Sequence, residues 1–231
     1  MTIAIRGTAT QATSSGVGIK PTGVVSGDVL VALLGNYNAN FVTTWASTGW
    51  SVLDTQAEHS GPGGSELNCA IMYKVAGGSE PSTYTFTNGI AGNISIIMTA
   101  YSGVDNSTPF DTSKTKNTSG AGNATVTGTA ISPSGSTDKL LWMWFGDDAS
   151  LSGSPTGTIG ALTIRVDGTT GTNLDFGVYG WYDGDLTTSG STGNYGVAAN
   201  FSDTWIVFMA SLNAASVVGG INVGGITYVT N

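Results

Sequence analysis

The sequence predicts an all-β protein: a jelly-roll-like antiparallel β-sandwich built from two internal repeats of about 110 residues. Three observations carry that reading. Blocks recur in one order: residues 27–36 read against 137–147, with an offset of 110 between Asp28 and Asp138. Residues 67–73 read against 174–180 at an offset of 107, and 96–101 against 207–212 at 111. Second, Gly is 35 of 231 residues and charged residues only 10%, against roughly 25% in ordinary globular chains, while 40% are hydrophobic. Strands joined by tight turns, with a neutral hydroxyl- and amide-rich surface, suit that mixture. Third, no window of a dozen residues shows the spacing of three and four that a capped amphipathic helix needs.

Residues 1–26 form an N-terminal arm in which Ile3, Ile5 and residues 17–19 can join a sheet edge. Residues 28–34 are the first strong strand. Val29, Val31 and Leu33 share one face, and Leu30, Ala32 and Leu34 the other. Both faces are apolar, so this strand is expected at the centre with cover on both sides. A polar loop with Tyr37, Phe41 and Trp45 follows, then strands at 49–53, 67–75, 83–87 and 92–102. The turn clusters 57–65 and 77–82 separate them. These strands make repeat one, 27–111, and residues 112–136 connect it to repeat two, 137–214. The connector carries Val104, Phe110, Val126 and Ile131 within or beside it and includes a candidate strand at 125–131. Repeat two runs through strands at 138–145, 161–166, 173–182, 195–201 and 204–212. A single sandwich in which the two repeats interleave strands is favoured over tandem domains, because the best strands are apolar on both faces. The tail, 215–231, contains two Gly-Gly-Ile steps and has no counterpart in repeat one. It either folds back as an edge strand, docks on another chain by strand addition, or stays mobile until a partner binds.

Charge narrows the function classes. The net charge is −8, and the seven basic residues are scattered, so no patch can follow a phosphate backbone or an anionic membrane. Cys69 is the only cysteine, which excludes an intrachain disulfide and reads as a small buried hydrophobe. The first residues lack the basic and apolar regions of a signal peptide, and no stretch reaches the roughly 18 apolar residues of a membrane span.

Candidate chemistry is sparse. His59, the single histidine, has Asp54, Glu58 and Glu66 nearby in sequence, but reads as a solvated histidine between hairpin strands. No Gly-x-Ser-x-Gly elbow supplies a nucleophile. Asp147, Asp148, Asp183 and Asp185 are placed in turns beside Trp142, Trp144, Trp181 and Tyr182. Carboxylates in such turns can hold calcium, yet no EF-hand pattern is present and turn formation explains them. Trp142 and Trp144 alternate with bulky residues and are expected in the core, whereas Trp45 is the aromatic expected to be exposed. No catalytic residue, metal ligand or cofactor site is assigned.

Several short stretches carry a resemblance: 27–32, Gly49-Trp50, 73–76, Ser79-Glu80-Pro81 with Tyr84-Thr85-Phe86, and 100–105 followed by Pro109-Phe110-Asp111. They resemble a loose family of β-rich structural proteins of tailed bacteriophages, of the capsid decoration (cement) or fibre-module kind, also found in prophage and bacterial surface regions. The resemblance implies a non-enzymatic virion component, with no catalytic residues to carry over. The second half departs from the pattern, with Lys139 after Asp138 and Ala-Ser-Leu-Asn-Ala at 210–214. The expectation is a capsid decoration protein on the virion surface, made in the host cytoplasm without a signal peptide. It is homo-oligomeric and contacts the major capsid protein or other virion subunits, but neither nucleic acid nor membrane. Ile3, Ile5, Val217, Val218, Ile221, Val223, Ile226 and Tyr228 are the expected partner contacts. The alternative is a glycan-binding recognition module of a tail fibre or spike, using Tyr37, Trp45, Asp147, Asp148, Asp183 and Asp185.

Overall fold

The computed structural model describes residues 1–12, 16–38, 44–59, 66–89, 94–119, 125–146, 154–158, 160–167, 178–199 and 204–216, and the backbone of 220–223 and 226–229. All regular structure among them is β. In the first half the strands are β1 (Ala4–Ile5), β2 (Thr10–Ala12), β3 (Val17–Ile19), β4 (Val29–Asn38), β5 (Ser51–His59), β6 (Glu66–Val75), β7 (Thr83–Thr85) and β8 (Ser95–Ser102). The second half has β9 (Thr115–Ser119), β10 (Thr125–Gly128), β11 (Lys139–Gly146), β12 (Thr156–Gly157), β13 (Gly160–Ala161), β14 (Thr163–Asp167), β15 (Val178–Asp185), β16 (Tyr195–Ala198) and β17 (Trp205–Leu212). A tail hairpin, β18 (Gly220–Val223) and β19 (Ile226–Val229), follows.

The strands stack as four antiparallel layers. The inner two are large sheets, ordered β1-β8-β4-β6-β5, with β2 also on β8, and β14-β15-β11-β17-β9. The outer layers are the β3-β7 pair over the first and β10-β16-β12-β13 over the second. Side-chain alternation builds this stack. Val29, Val31 and Leu33 of β4 meet Leu141, Met143 and Phe145 of β11 in one core shared by the halves. The opposite face of β4, Leu30, Ala32 and Leu34, is covered by Trp45, Trp50, Tyr84 and Phe86. The opposite face of β11, Leu140, Trp142 and Trp144, is covered by Val126, Tyr195 and Val197. Central strands with apolar residues on both faces are therefore covered on both faces.

With the edge strand β14 set aside, and β9, β10, β11, β12, β13, β15, β16 and β17 counted as strands one to eight, the second half has sheet orders 1-8-3-6 and 2-7-4-5, the order of a jelly roll. In the first half β1-β8-β4-β6, with β5 beyond β6 and β2 also on β8, follow the same order, and the other sheet is the β3-β7 pair. The pairing registers run parallel: Val29 faces Val75 and Lys139 faces Asp185, an offset of 110 on both sides. Matching 67–73 with 174–180 is therefore three residues out of step; in register, residue 73 corresponds to 183.

One further expectation is corrected. The halves do not interleave, because each large sheet takes strands from one half only. The hydrogen-bonding edges of β4 are filled by β6 and β8, leaving no room for a strand from the other half. The halves stack face to face instead. The arm and connector supply edge strands: β1 and β2 pair with β8, and β9 pairs with β17.

Close approach of the halves depends on Gly35. A Cβ there would sit 2.1 Å from the Phe145 ring, so only glycine lets that ring lie on β4. At the rim, Lys116 on β9 pairs with Asp54 on β5 at 2.9 Å, and the Tyr179 hydroxyl donates to Gln11 at 3.2 Å. The chain also closes on itself: the Met1 amine donates to the Ala215 carbonyl at 3.2 Å.

Candidate functional site

The densest polar constellation lies between the two large sheets. β5 and β14 carry register shifts at matching places, between Val52 and Asp54 and between Ile164 and Val166. A bulge re-aims the extra residue. In β5 that residue is Leu53, which packs on the shared core. In β14 it is Arg165, whose Nε and Nη2 donate to Asp183 Oδ2 and Oδ1 at 2.8 and 2.6 Å. Asp183 also accepts from the Tyr101 hydroxyl at 2.8 Å, and Trp181 Nε1 donates to that hydroxyl at 2.9 Å. Tyr101 comes from the first half and the other three from the second, so the network bolts one half to the other. Burial and then the Asp183 charge push the Tyr101 phenol well above its ordinary range, so it stays a donor. Asp183 and Tyr101 are fully buried, leaving the carboxylate no access to substrate. Its oxygens are spent on the guanidinium fork and the phenol.

A second polar row interrupts the outer face of the first sheet. Asn36 on β4 pairs with Asn68 on β6, which follows Glu66, and all three are buried. Asn68 Nδ2 donates to Asn36 Oδ1 at 3.4 Å and to the Glu66 carbonyl at 3.1 Å. The sequence signal was available in the breaks Leu-Gly-Asn at 34–36 and Leu-Asn-Cys at 67–69, and was missed because amides in a strand read as turn-proximal.

A third cluster, Lys74, Glu80 and Tyr84, closes the turn before β7. Glu80 accepts from Tyr84 at 2.6 Å, from the Gly77 amide at 2.7 Å and from Lys74 at 2.8 Å. Burial raises the Glu80 carboxyl, but these donors outweigh it and hold its pKa at about 2. Beside this cluster a groove of about 430 Å³, lined by Ala46, Ser47, Thr48, Thr85 and Thr87, continues into one of about 320 Å³ that reaches Lys74 and Pro81. Ser and Thr side chains supply most of its lining residues, and the aromatic among them, Tyr84, is largely buried.

The residues singled out from sequence scatter. Trp45 is buried at 6% exposure under β4, so the expectation of an exposed aromatic is corrected: its polar neighbours hide a ring that caps a core. Asp183 and Asp185 lie in β15 rather than in a turn, and Asp185 pairs with Lys139 on β11. Tyr37 and His59 lie in β4 and β5, opposite Leu67 and Glu66, their side chains outside the described residues. Asp147 and Asp148 also lie outside the described residues. Ile3 is buried in the shared core and Ile5 packs partly against it, which takes Ile3 off any docking surface. Val217 and Val218 lie outside the described residues. Ile221, Val223, Ile226 and Tyr228 are known by backbone only, in a hairpin that pairs with itself. Among the described residues no group of three or more His, Cys, Asp or Glu is placed to hold a metal ion, and no helix is long and apolar enough to cross a membrane.

Comparison with known proteins finds no matching family model, no curated relative and no similar solved structure.

Proposed function

We propose that this chain is a non-enzymatic structural protein of a virion, a capsid decoration protein whose rigid four-layer stack bridges shell subunits. One observation carries the reading: its basic groups are spent on holding the fold. Six of the seven basic residues make a structural bond. Arg6 holds Asp28, Lys74 holds Glu80, Lys116 holds Asp54, Lys139 holds Asp185 and Arg165 holds Asp183. What faces water is largely Ser, Thr, Gly and amide, a surface that resists collapse onto nucleic acid or anionic lipid. The matching registers support derivation of the two halves from one duplicated unit. The resemblance of the 27–32, 73–76 and 100–105 stretches to phage structural proteins supports the setting.

Cryo-electron microscopy of the parent particle tests the proposal, comparing wild type with a chain lacking 217–231. Density of this shape on the outer shell, lost or weakened by the deletion, is the expected result. Full occupancy by the shortened chain removes the docking role of the tail. Absence from the particle removes the proposal. The glycan-binding alternative loses Trp45 and Asp183 to the interior; a glycan array on purified protein is expected to be blank.

A further inference from the structure

Among the described residues, the outer edge of β7 is open beside Thr83 and Thr85. In the β3-β7 pair, Lys20 N–H donates to the Ser82 carbonyl at 2.9 Å and Phe86 N–H to the Gly16 carbonyl at 2.7 Å. Alternate residues of an antiparallel strand point their backbone groups the other way. Thr83, Thr85 and Thr87 therefore turn N–H and C=O away from β3. Thr87 is satisfied there: it exchanges both bonds with Ala46, each at 2.9 Å. The ladder should next reach Thr85 and Thr83. Instead the chain turns away at Ser47, whose carbonyl accepts from Trp50 N–H at 3.1 Å. The space it leaves is the 430 Å³ groove. In the second half β12 pairs Thr156 with Gly196 on β16, at the end of the ladder that corresponds to the Ala46–Thr87 bridge. Thr158 lies so close to Gly193 that a Cβ there would meet its Oγ1 at 2.2 Å. Thr158 stands 110 residues after Thr48, and Gly193 the same distance after Thr83.

The chain also carries strand-forming sequence that no large sheet uses. Among the described residues β18 pairs only with β19, so the outer edges of that hairpin are open too. Ile221 and Val223, and Ile226 and Tyr228, sit at alternate positions, the pattern that strand addition reads. We infer that β7 is a strand-addition site, and that its occupant is the 220–229 segment of a second copy of this chain, paired through the Thr83 and Thr85 backbone. This deepens the oligomeric part of the proposed function and rests on that reading only in taking the chain to self-associate.

Hydrogen exchange of the full-length protein over a range of concentrations tests it, with sedimentation alongside. The Thr83 and Thr85 amides are expected to exchange freely when dilute and to slow at least about tenfold as the protein associates. Thr85→Pro removes an outward amide, which an edge strand tolerates, and is expected to abolish association. Thr48→Arg, at an exposed position, fills the groove and should do the same without touching the ladder. A paired tail variant, Ile221→Pro with Ile226→Pro, should also free both amides. Protection that is absent at every concentration, independent of concentration, or retained in the tail variant overturns the inference. Particle location plays no part in these readouts: self-association through β7 by a protein found on no capsid would sink the virion proposal and leave this one standing.

Discussion

Replacing Arg165 by Met removes the cation from a carboxylate that is fully buried, and the structure sets the size of the response. Asp183 takes two bonds from Arg165 and one from Tyr101, so the variant keeps one donor for a charge with no water. Leaving a buried charge without its partner costs about 3–5 kcal/mol. For a chain of this length about 2–4 °C of melting temperature is lost per kcal/mol, which gives a fall of roughly 6–20 °C. The double variant Arg165→Met, Asp183→Leu removes both charges and fills the space with apolar atoms. It is expected to recover most of the loss, short by about 1–3 kcal/mol for the Tyr101 hydroxyl now lacking its acceptor. Urea unfolding followed by tryptophan fluorescence measures all three proteins. If Arg165→Met falls within about 1 kcal/mol of wild type, or the double variant is no more stable than the single one, the network is not the bolt between the halves.

Three other outcomes follow from named contacts. Gly35→Ala forces a methyl into the Phe145 ring and should cost about 1–3 kcal/mol in the same unfolding experiment, because the overpacking lies where the halves touch. Glu80 has a folded pKa of about 2 against 4.5 for the free group, so its contribution is complete above pH 4.5 and is lost as pH falls toward 2. That contribution is at most about 3 kcal/mol at neutral pH and is cut by solvent screening at this partly exposed turn; Glu80→Gln should be less stable at pH 7 and lose less on acidification, as read by stability against pH. The Cys69 thiol is pushed up by burial and lies in the shared core, so Ellman's reagent should label it only after unfolding; fast labelling of the native protein would contradict the packing.

The central strands were legible because alternation is a local signal. Val29, Val31 and Leu33 on one face and Leu30, Ala32 and Leu34 on the other could be read from six consecutive residues. Two-sided burial could not say what lies on each side. The same pattern fits interleaved halves and stacked halves, and only the filled edges of β4 decide between them. Short strands such as β2, β9 and β12, made largely of Thr, Gly, Asn and Gln, carry little apolar signal and were passed over. The Arg165–Asp183 pair was hidden because a bulge turns Arg165 inward; without it, simple alternation would mis-assign the side chain. Trp45 failed for the converse reason: its neighbours are polar, but the ring itself caps Leu34 and its layer.

The face-to-face arrangement has a consequence during synthesis. Every strand of the first large sheet lies within residues 4–102, so that half can pair its strands while the ribosome is still making the rest. Its wall of Val31, Leu33, Ile71 and Ile97 then stands bare until β11, β15 and β17 emerge. At about 5–20 residues per second that wait lasts roughly 5–20 s. During it the nascent chain shows neighbouring polysomes a greasy plane of its own making, so slow translation of the second half should favour clumping, and a chaperone that shields flat apolar surfaces should raise the yield.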